Sequence, residues 1–199
     1  MIASHNAGKI LEISDLLHRI GLVADAEAAG RLTSPEERSD RYELNAASKA
    51  IATAAALSQV AIADDSGVEI DALNGFPGVR TARWATEVGG FGEAMKIVHE
   101  RLEFSNGVRR DATMVCVLCV AGPDGTSRTF RGDLRGEFVW PPRGGSAIGF
   151  EPCFVPRGKT LALSELSFEV KQYRNARALA FDQLSNELRG RSFIDTHDL

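Results

Sequence analysis

The sequence has little of what marks a membrane protein, a disulfide scaffold or a nucleic-acid-binding domain. No apolar run approaches the ~18 residues of a membrane span, and no charged-then-apolar signal peptide opens the chain. Three cysteines in 199 residues do not form a disulfide framework. A net charge of −4 gives no basic excess for a general nucleic-acid surface, although locally placed cations can still bind a small anion. We therefore expect a cytoplasmic location and neither nucleic acid nor a membrane as partner.

Zinc binding by the cysteines is disfavoured by their spacing. Cys116 and Cys119 form a C-x-x-C pair inside an apolar run that predicts a strand. Positions three apart on a strand face opposite sides of the sheet, so the two thiols are poorly placed to share one ion. The four histidines show no metal-ligand spacing either: His5, His18, His99 and His197. Core packing of the cysteines is the prediction.

The most informative stretch is AIADDSGVEIDALNGFPGVRTARW, residues 61–84. The apolar run 60–63 predicts a short buried strand that ends at Asp64-Asp65-Ser66-Gly67. Two adjacent carboxylates just past the end of a strand are costly to bury unless they are paired or given a cation. A hydroxyl, several glycines, Arg80 and Arg83 follow closely. This combination predicts a metal-assisted phosphate site.

The N-terminal segment predicts a further phosphate contact. Apolar residues at positions 10, 13, 16, 17 and 20 recur at helical spacing, which predicts a helix from about 9 to 20. The small-residue turn 3–9 before it would present backbone N–H groups and the positive end of the helix dipole, and Lys9 adds a full charge. The alternative interpretation is an ordinary capped helix start.

A second, alanine-rich helix is predicted over residues 42–58. Its predicted apolar face consists of Leu44, Ile51 and Ala55. Asn45 and Lys49 are four residues apart and therefore share a different face. The sequence alone leaves open whether Lys49 is a solvated lysine or part of a site.

The remaining segments predict an α/β protein. Helices are predicted over 91–102 and 174–188, and strands over 112–120 and 126–139. The turn sequence GPDG between these strands indicates an antiparallel hairpin. A glycine- and proline-rich loop, 141–152, is of the kind that carries function. We expect one domain, 1–199, with a mixed, partly antiparallel sheet and flanking helices.

Five motifs in order along nearly the whole chain resemble the inosine triphosphate pyrophosphatase family. They are the opening turn ASHNAGK; Glu37 followed twelve residues later by Lys49; IADDSG with ALNGFPGV; the aromatic loop IGFEPCFVP; and Lys171 with Arg177. The family hydrolyses non-canonical purine nucleoside triphosphates, such as ITP, dITP and XTP, to the monophosphate and pyrophosphate. The resemblance implies this activity, two lobes around a central cleft, Mg²⁺ as cofactor and a homodimer.

The resemblance also implies roles for individual residues. Glu37 and Asp65 would be the metal carboxylates, with Asp64 beside them, and Asp65 would also activate the attacking water. Other residues would bind the substrate: Ser4, His5, Asn6, Ala7, Gly8, Lys9, Lys49, Ser66, Ile148, Gly149, Phe150, Glu151, Lys171 and Arg177. Among these, the lysines would hold the phosphate chain, 148–151 would hold the base, and Arg177 would lie near the base.

The departures from the family pattern gather at the base end. Ala176 stands where the family has His, and Glu151 stands where it has Asp. Further differences are Ile148, Phe150, Gln172, Asn175 and Leu44. Changes in hydrogen-bonding side chains around a base can alter discrimination strongly. Three hypotheses follow: a pyrophosphatase with altered base preference, a catalytically inactive nucleotide-binding homologue, and a pyrophosphatase for a modified nucleotide in a specialised pathway.

Overall fold

The computed structural model describes residues 1–33, 35–37, 39–104, 109–145, 148–171 and 174–194. The helices there are α1 Ala7–His18, α2 Glu27–Gly30, α3 Tyr42–Leu57, α4 Thr81–Glu87, α5 Phe91–Phe104, α6 Phe168–Lys171 and α7 Ala176–Ile194. The strands are β1 Ala61–Ile70, β2 Pro77–Gly78, β3 Asp111–Ala121, β4 Ser127–Phe138 and β5 Phe154–Pro156. Short 3-10 turns occur at Asp71–Leu73, Glu151–Cys153 and Leu163–Glu165.

The five strands form one open sheet in the order β2-β1-β3-β4-β5. β1 pairs antiparallel with β2, and β4 pairs antiparallel with β5. The turn between β3 and β4 is closed by the Gly122 N–H, which donates to the Thr126 carbonyl at 2.9 Å, so the predicted hairpin is confirmed. The predicted α/β class with antiparallel strands and flanking helices is confirmed as well.

Contacts divide the chain into two compact units. The first unit comprises residues 1–65, 116–132 and 177 onwards. Its α1 buries Ile13, Leu16 and Leu17, and Ile2 forms a parallel bridge with Ile62. Apolar spacing in α1 thus produces the buried face that the sequence predicts.

The second unit comprises residues 66–115 and 133–176. Its core is built on α5, which buries Ala94, Met95, Val98 and Leu102. Aromatic rings from the strands and the loop complete this core, among them Phe138, Phe150 and Phe154. The prediction of a single domain over 1–199 stays a prediction.

The predicted end of the first strand is wrong. β1 does not stop before the acidic pair but runs from Ala61 through Asp64 and Asp65 to Ile70. Ionised side chains are poor strand formers, which is why the pair suggested a boundary. Inside the strand, Asp64 is paired with Lys9 and Arg177, and Asp65 accepts a hydrogen bond from the Asn45 amide. Val60 lies outside β1 and is 58% exposed, so its predicted burial is also wrong.

The predicted apolar face of α3 is wrong too. Leu44 is 51% exposed, and the buried residues of α3 are Tyr42, Asn45, Ala46, Ala50, Thr53 and Ala54. The helix turns a small-residue face inward, since alanines permit close approach of the neighbouring backbone. Asn45 lies on that buried face, and Lys49, four residues later, is only 12% exposed.

Other elements match the predictions with shifted ends. α1 begins two residues before Lys9, and α7 extends beyond the predicted end at Leu188 to Ile194.

Cys116 and Cys119 are both buried, which confirms core packing. Among the described helices, none is long and apolar enough to cross a membrane.

Candidate active site

The first unit holds two adjacent buried carboxylates on β1. Consecutive strand residues point to opposite faces, so Asp64 and Asp65 meet different partners. Asp64 is 2% exposed, and its Oδ2 lies 2.9 Å from Lys9 Nζ and 2.9 Å from Arg177 Nη2. Burial by itself would raise the pKa of Asp64, but the charges of Lys9 and Arg177 outweigh it and hold this pKa far below 3.8. Asp64 is therefore a permanent anion.

Arg177, at the start of α7, is buried between two acids. Its Nη1 donates to Glu12 Oε2 on α1, and its Nη2 donates to Asp64 Oδ2. Burial opposes the charged form, but the neighbouring anions, Asp64 foremost, raise the pKa of Arg177 above its ordinary value. Lys9, Glu12, Asp64 and Arg177 thus form a buried group with two positive and two negative charges, which we call the Asp64 quartet.

Asp65 is buried as deeply, at 4% exposed, yet its environment acts in the opposite direction. Burial is the largest cause of the raised pKa of Asp65, which is about 6 instead of 3.8, and the charge of Glu37 acts in the same direction. Lys49 and the Asn45 amide lower this pKa without reversing the shift. Asn45 Nδ2 donates to Asp65 Oδ2 at 3.0 Å and fixes the orientation of the carboxylate. Asp65 is thus a carboxylate with a pKa near neutral.

Lys49 and Glu37 form an ion pair next to this carboxylate. Lys49 Nζ lies 2.6 Å from Glu37 Oε1. Burial would lower the pKa of Lys49, but the charges of Asp64, Asp65 and Glu37 raise it overall. Asn45, on the same face of α3, also bonds the backbone of Ser39 and so holds the start of the segment that leads from Ser39 into α3.

The opening turn folds as a capped helix start. Asn6 is the N-cap residue, and its Oδ1 accepts a hydrogen bond from the Lys9 N–H at 3.2 Å. Ser4 Oγ accepts from the Asn6 N–H, and His5 Nε2 lies 3.0 Å from the Leu32 carbonyl oxygen. Ala7 and Gly8 lie in the first turn of α1, where backbone N–H groups lack partners within the helix. These groups can donate to an anion.

The second unit holds the predicted base loop. Glu151 Oε2 accepts from Lys171 Nζ at 2.9 Å and from the Ile148 N–H at 3.1 Å. Phe150 is buried against Phe91 in an edge-to-face contact with 6.1 Å between ring centroids. Gly149 has a φ of +62°, a conformation that favours glycine. One buried ion pair therefore ties the loop to α6.

Asp65 and Glu37 fit a hard divalent cation. In the described part of the chain, no group of three or more His, Cys, Asp or Glu side chains forms a ready-made metal cage. Mg²⁺ commonly takes one or two protein carboxylates and completes its shell with water and substrate phosphates. The charge of Glu37 helps to raise the pKa of Asp65, so a cation near both would relieve that repulsion.

The structure thus brings together part of the predicted set in each unit. In the first unit, Lys9, Glu37, Lys49, Asp65 and Arg177 belong to two linked ionic clusters. In the second unit, Ile148, Glu151 and Lys171 share contacts, and Ser66 directly follows Asp65 on β1. Gln172 lies outside the described residues.

Sequence reasoning missed Glu12 and the pairing role of Asp64. Glu12 is 3% exposed although it is an acid, and it sits one turn from both Lys9 and Leu16 on the buried face of α1. An acid on the apolar side of a helix is a signal that could have revealed it, because such a residue needs a buried cation.

Comparisons with known proteins agree with this geometry. A family model, that of the Ham1 family, matches residues 1–187. The chain belongs to the Ham1 family. Among curated relatives, the dITP/XTP pyrophosphatase of Rhizobium meliloti (strain 1021) is 45% identical over 177 residues, covering 86% of this chain and 83% of the relative. The corresponding protein of Agrobacterium fabrum is 42% identical over 204 residues, covering 98% and 94%.

Solved Ham1 structures have the same fold. The HAM1 protein from Coxiella burnetii superposes with a TM-score of 0.84 at 30% identity, covering 95% of this chain and 97% of that one. The Staphylococcus aureus Ham1 protein gives a TM-score of 0.79 at 33% identity, covering 96% and 97%. The resemblance inferred from the motifs is thereby confirmed.

Proposed function

We propose that this Ham1 protein hydrolyses non-canonical purine nucleoside triphosphates, dITP and XTP among them, to the monophosphate and pyrophosphate. The relatives named dITP/XTP pyrophosphatase support this activity, since the chain covers most of their length. The observation that carries it is Asp65, a buried carboxylate with a pKa of about 6 next to the Glu37–Lys49 pair.

Asp65 is proposed as the general base. The water oxygen attacks the α-phosphorus, the bond from that phosphorus to the bridging oxygen breaks, and pyrophosphate leaves. The proton of the water passes to the Asp65 carboxylate, whose orientation Asn45 fixes. A general base that is positioned in this way contributes ~10²–10⁴ in rate.

Cations of the first unit are proposed to hold the phosphates. Lys9 is 21% exposed and Lys49 is 12% exposed, so each ammonium has a route to an anion while its other side is fixed by a carboxylate. An ammonium carries three donors, so binding an acid leaves donors for a phosphate oxygen. The Ser4 to Gly8 turn would add backbone N–H donors at the N-terminus of α1.

Glu37 and Asp65 are proposed to hold Mg²⁺. Bound there, Mg²⁺ would neutralise charge that develops on the phosphate oxygens and on the leaving pyrophosphate. Residues 148–151 of the second unit are proposed to bind the base, and Arg177 of the first unit is proposed to lie near the base. Ser66 and Lys171 are proposed as further substrate contacts. A homodimer and a cytoplasmic location are further proposals, based on the resemblance and on the composition.

A substrate panel tests the proposed function. Purified protein is incubated with Mg²⁺ and, separately, with ITP, dITP, XTP, dUTP and the standard triphosphates, and pyrophosphate and monophosphate are quantified. Equal amounts of the two products from ITP, dITP or XTP, and none when Mg²⁺ is chelated, are expected. Nucleotide binding without product from any triphosphate would contradict the proposal and favour the inactive homologue. Turnover confined to a modified nucleotide in a broader screen would favour the specialised pyrophosphatase.

A further inference from the structure

We propose that Asp64 is a positioning residue that orients both Lys9 and Arg177 and does not ligate the metal. The carboxylate sits at the centre of the Asp64 quartet, and a single oxygen, Oδ2, accepts from both cations at 2.9 Å. Lys9 belongs to α1 and Arg177 to α7, so one atom fixes side chains from two helices. The inference rests on the proposed function, which assigns Lys9 to the phosphates and Arg177 to the base.

The charges around Asp64 argue against a metal ligand. Two cations are hydrogen-bonded or ion-paired to its Oδ2, and Lys49 adds a further positive charge nearby. A dication brought to the same oxygen would be repelled by those charges and would have to displace one of them. Asp65 differs because the anion Glu37 is among its neighbours and offsets part of the positive charge of Lys49 and Lys9, which makes the approach of a dication less unfavourable.

The burial of the quartet explains how Asp64 can act at a distance from the substrate. Asp64 and Arg177 are deeply buried, whereas Lys9 is 21% exposed. The carboxylate therefore holds the inner side of the Lys9 ammonium and leaves its outer side for a phosphate. A flexible lysine that is held in this way loses less freedom when it binds the phosphate, because part of its ordering is already complete.

The test compares Asp64→Asn with Asp65→Asn in three measurements. They are KM and kcat for ITP, the affinity for inorganic tripolyphosphate by calorimetry, and the affinity for Mn²⁺. Asp64→Asn is expected to raise KM and weaken tripolyphosphate binding by roughly tenfold to hundredfold, as misplacement of a binding group does. Its Mn²⁺ affinity should stay within about threefold of wild type, while Asp65→Asn loses more than about tenfold, as expected for a lost carboxylate ligand.

A double-mutant cycle with Lys9→Met isolates the positioning role. If Asp64 acts through Lys9, the Asp64→Asn change should add little to the tripolyphosphate affinity once Lys9 is removed. Asp15 is a partly exposed acid of α1 that is paired with Arg19, so Asp15→Asn is the matched control and should change none of these quantities. A purely structural role for Asp64 would lower the active fraction and leave KM unchanged.

Several outcomes would overturn the inference. An unchanged KM in Asp64→Asn, additive effects in the cycle, or a loss of Mn²⁺ affinity as large as that of Asp65→Asn would each do so. If Asp64→Asn does not fold, Asp64→Glu replaces it, because this change keeps the charge and displaces the carboxylate oxygen. Asp64→Glu should raise KM and retain the wild-type Mn²⁺ affinity. An unchanged KM in this variant would refute the inference. If wild type shows no turnover, the proposed function fails, but tripolyphosphate binding still decides the role of Asp64.

Discussion

Asp64 and Asp65 are neighbours on one strand and equally buried, yet their environments move their pKa values in opposite directions. The cations Lys9 and Arg177 hold the pKa of Asp64 far below 3.8, after overcoming the effect of burial. For Asp65, burial wins and raises the pKa to about 6. Both carboxylates are almost fully excluded from solvent, so the neighbouring charges decide the outcome: cations dominate around Asp64, whereas the anion Glu37 offsets part of the positive charge around Asp65.

The difference follows from strand geometry. Because successive strand residues face opposite sides, Asp64 meets α1 and α7, whereas Asp65 is bonded by Asn45 of α3. One side of β1 carries the Asp64 quartet, and the other carries a carboxylate that is placed to take a proton or a metal. The proposed positioning residue and the proposed base are thus adjacent along the chain.

The largest expected effect is the loss of turnover in Asp65→Asn. An amide can still accept the Asn45 hydrogen bond but cannot take a proton from water, so kcat for ITP should fall by at least ~10²–10⁴. Circular dichroism should show an unchanged fold. Asp124→Asn, a change in the exposed turn between β3 and β4, is the matched control and should keep the wild-type rate. Near-wild-type turnover in Asp65→Asn would refute its assignment as the base.

A second comparison concerns stability, where Asp64→Asn should be strongly destabilising. The change leaves Arg177 and Lys9 without the charge of their shared partner, and breaking a buried ion pair from one side costs ~3–5 kcal/mol. Denaturant unfolding at pH 7 measures this cost. Asp15→Asn removes a partly exposed pair with Arg19 and should cost less than ~1 kcal/mol. Similar losses of unfolding free energy in Asp64→Asn and Asp15→Asn would mean that water screens the charges of the Asp64 quartet.

The part of the site that is local in sequence could be predicted. Helical spacing indicated α1 and α5, and the turn residues indicated the β3–β4 hairpin. The acidic pair was correctly singled out, although its position inside β1 was not foreseen. A strand tolerates two adjacent carboxylates only when partners from elsewhere compensate them, and those partners are not visible in the local pattern.

The part that depends on packing could not be predicted from the chain alone. Arg177 reaches Asp64 across 113 residues and Glu12 across 165 residues, separations that no periodicity encodes. The resemblance placed Arg177 and Asp64 in the site, but neither their pairing nor Glu12. The buried face of α3 was missed for a related reason: alanine and asparagine turn inward where a close-packed neighbour requires small side chains, and the larger Leu44 remains outside.

The smallest expected effect is a difference between wild type and Asp65→Asn in how the free energy of unfolding depends on pH. A group whose pKa is raised on folding contributes stability that is fully present below its unfolded pKa and is lost as the pH rises through the folded value. For Asp65 this loss falls between pH 3.8 and about 6, so at pH 8 the metal-free protein carries the cost of an ionised buried carboxylate. Asp65→Asn removes that cost and should stabilise the metal-free protein by about 3 kcal/mol above pH 6.

Denaturant unfolding of wild type and Asp65→Asn in EDTA from pH 4 to pH 8 measures this difference. The free energies of unfolding of the two proteins should be nearly equal at pH 4, and the difference between them should grow up to about pH 6. Asp64 does not contribute to the separation, because its depressed pKa confines its own loss of stability to pH values below 3.8. Added Mg²⁺ should stabilise only the wild type and so reduce the gap. A variant less stable than wild type at pH 8 would mean that the attraction between Asp65 and Lys49 outweighs burial.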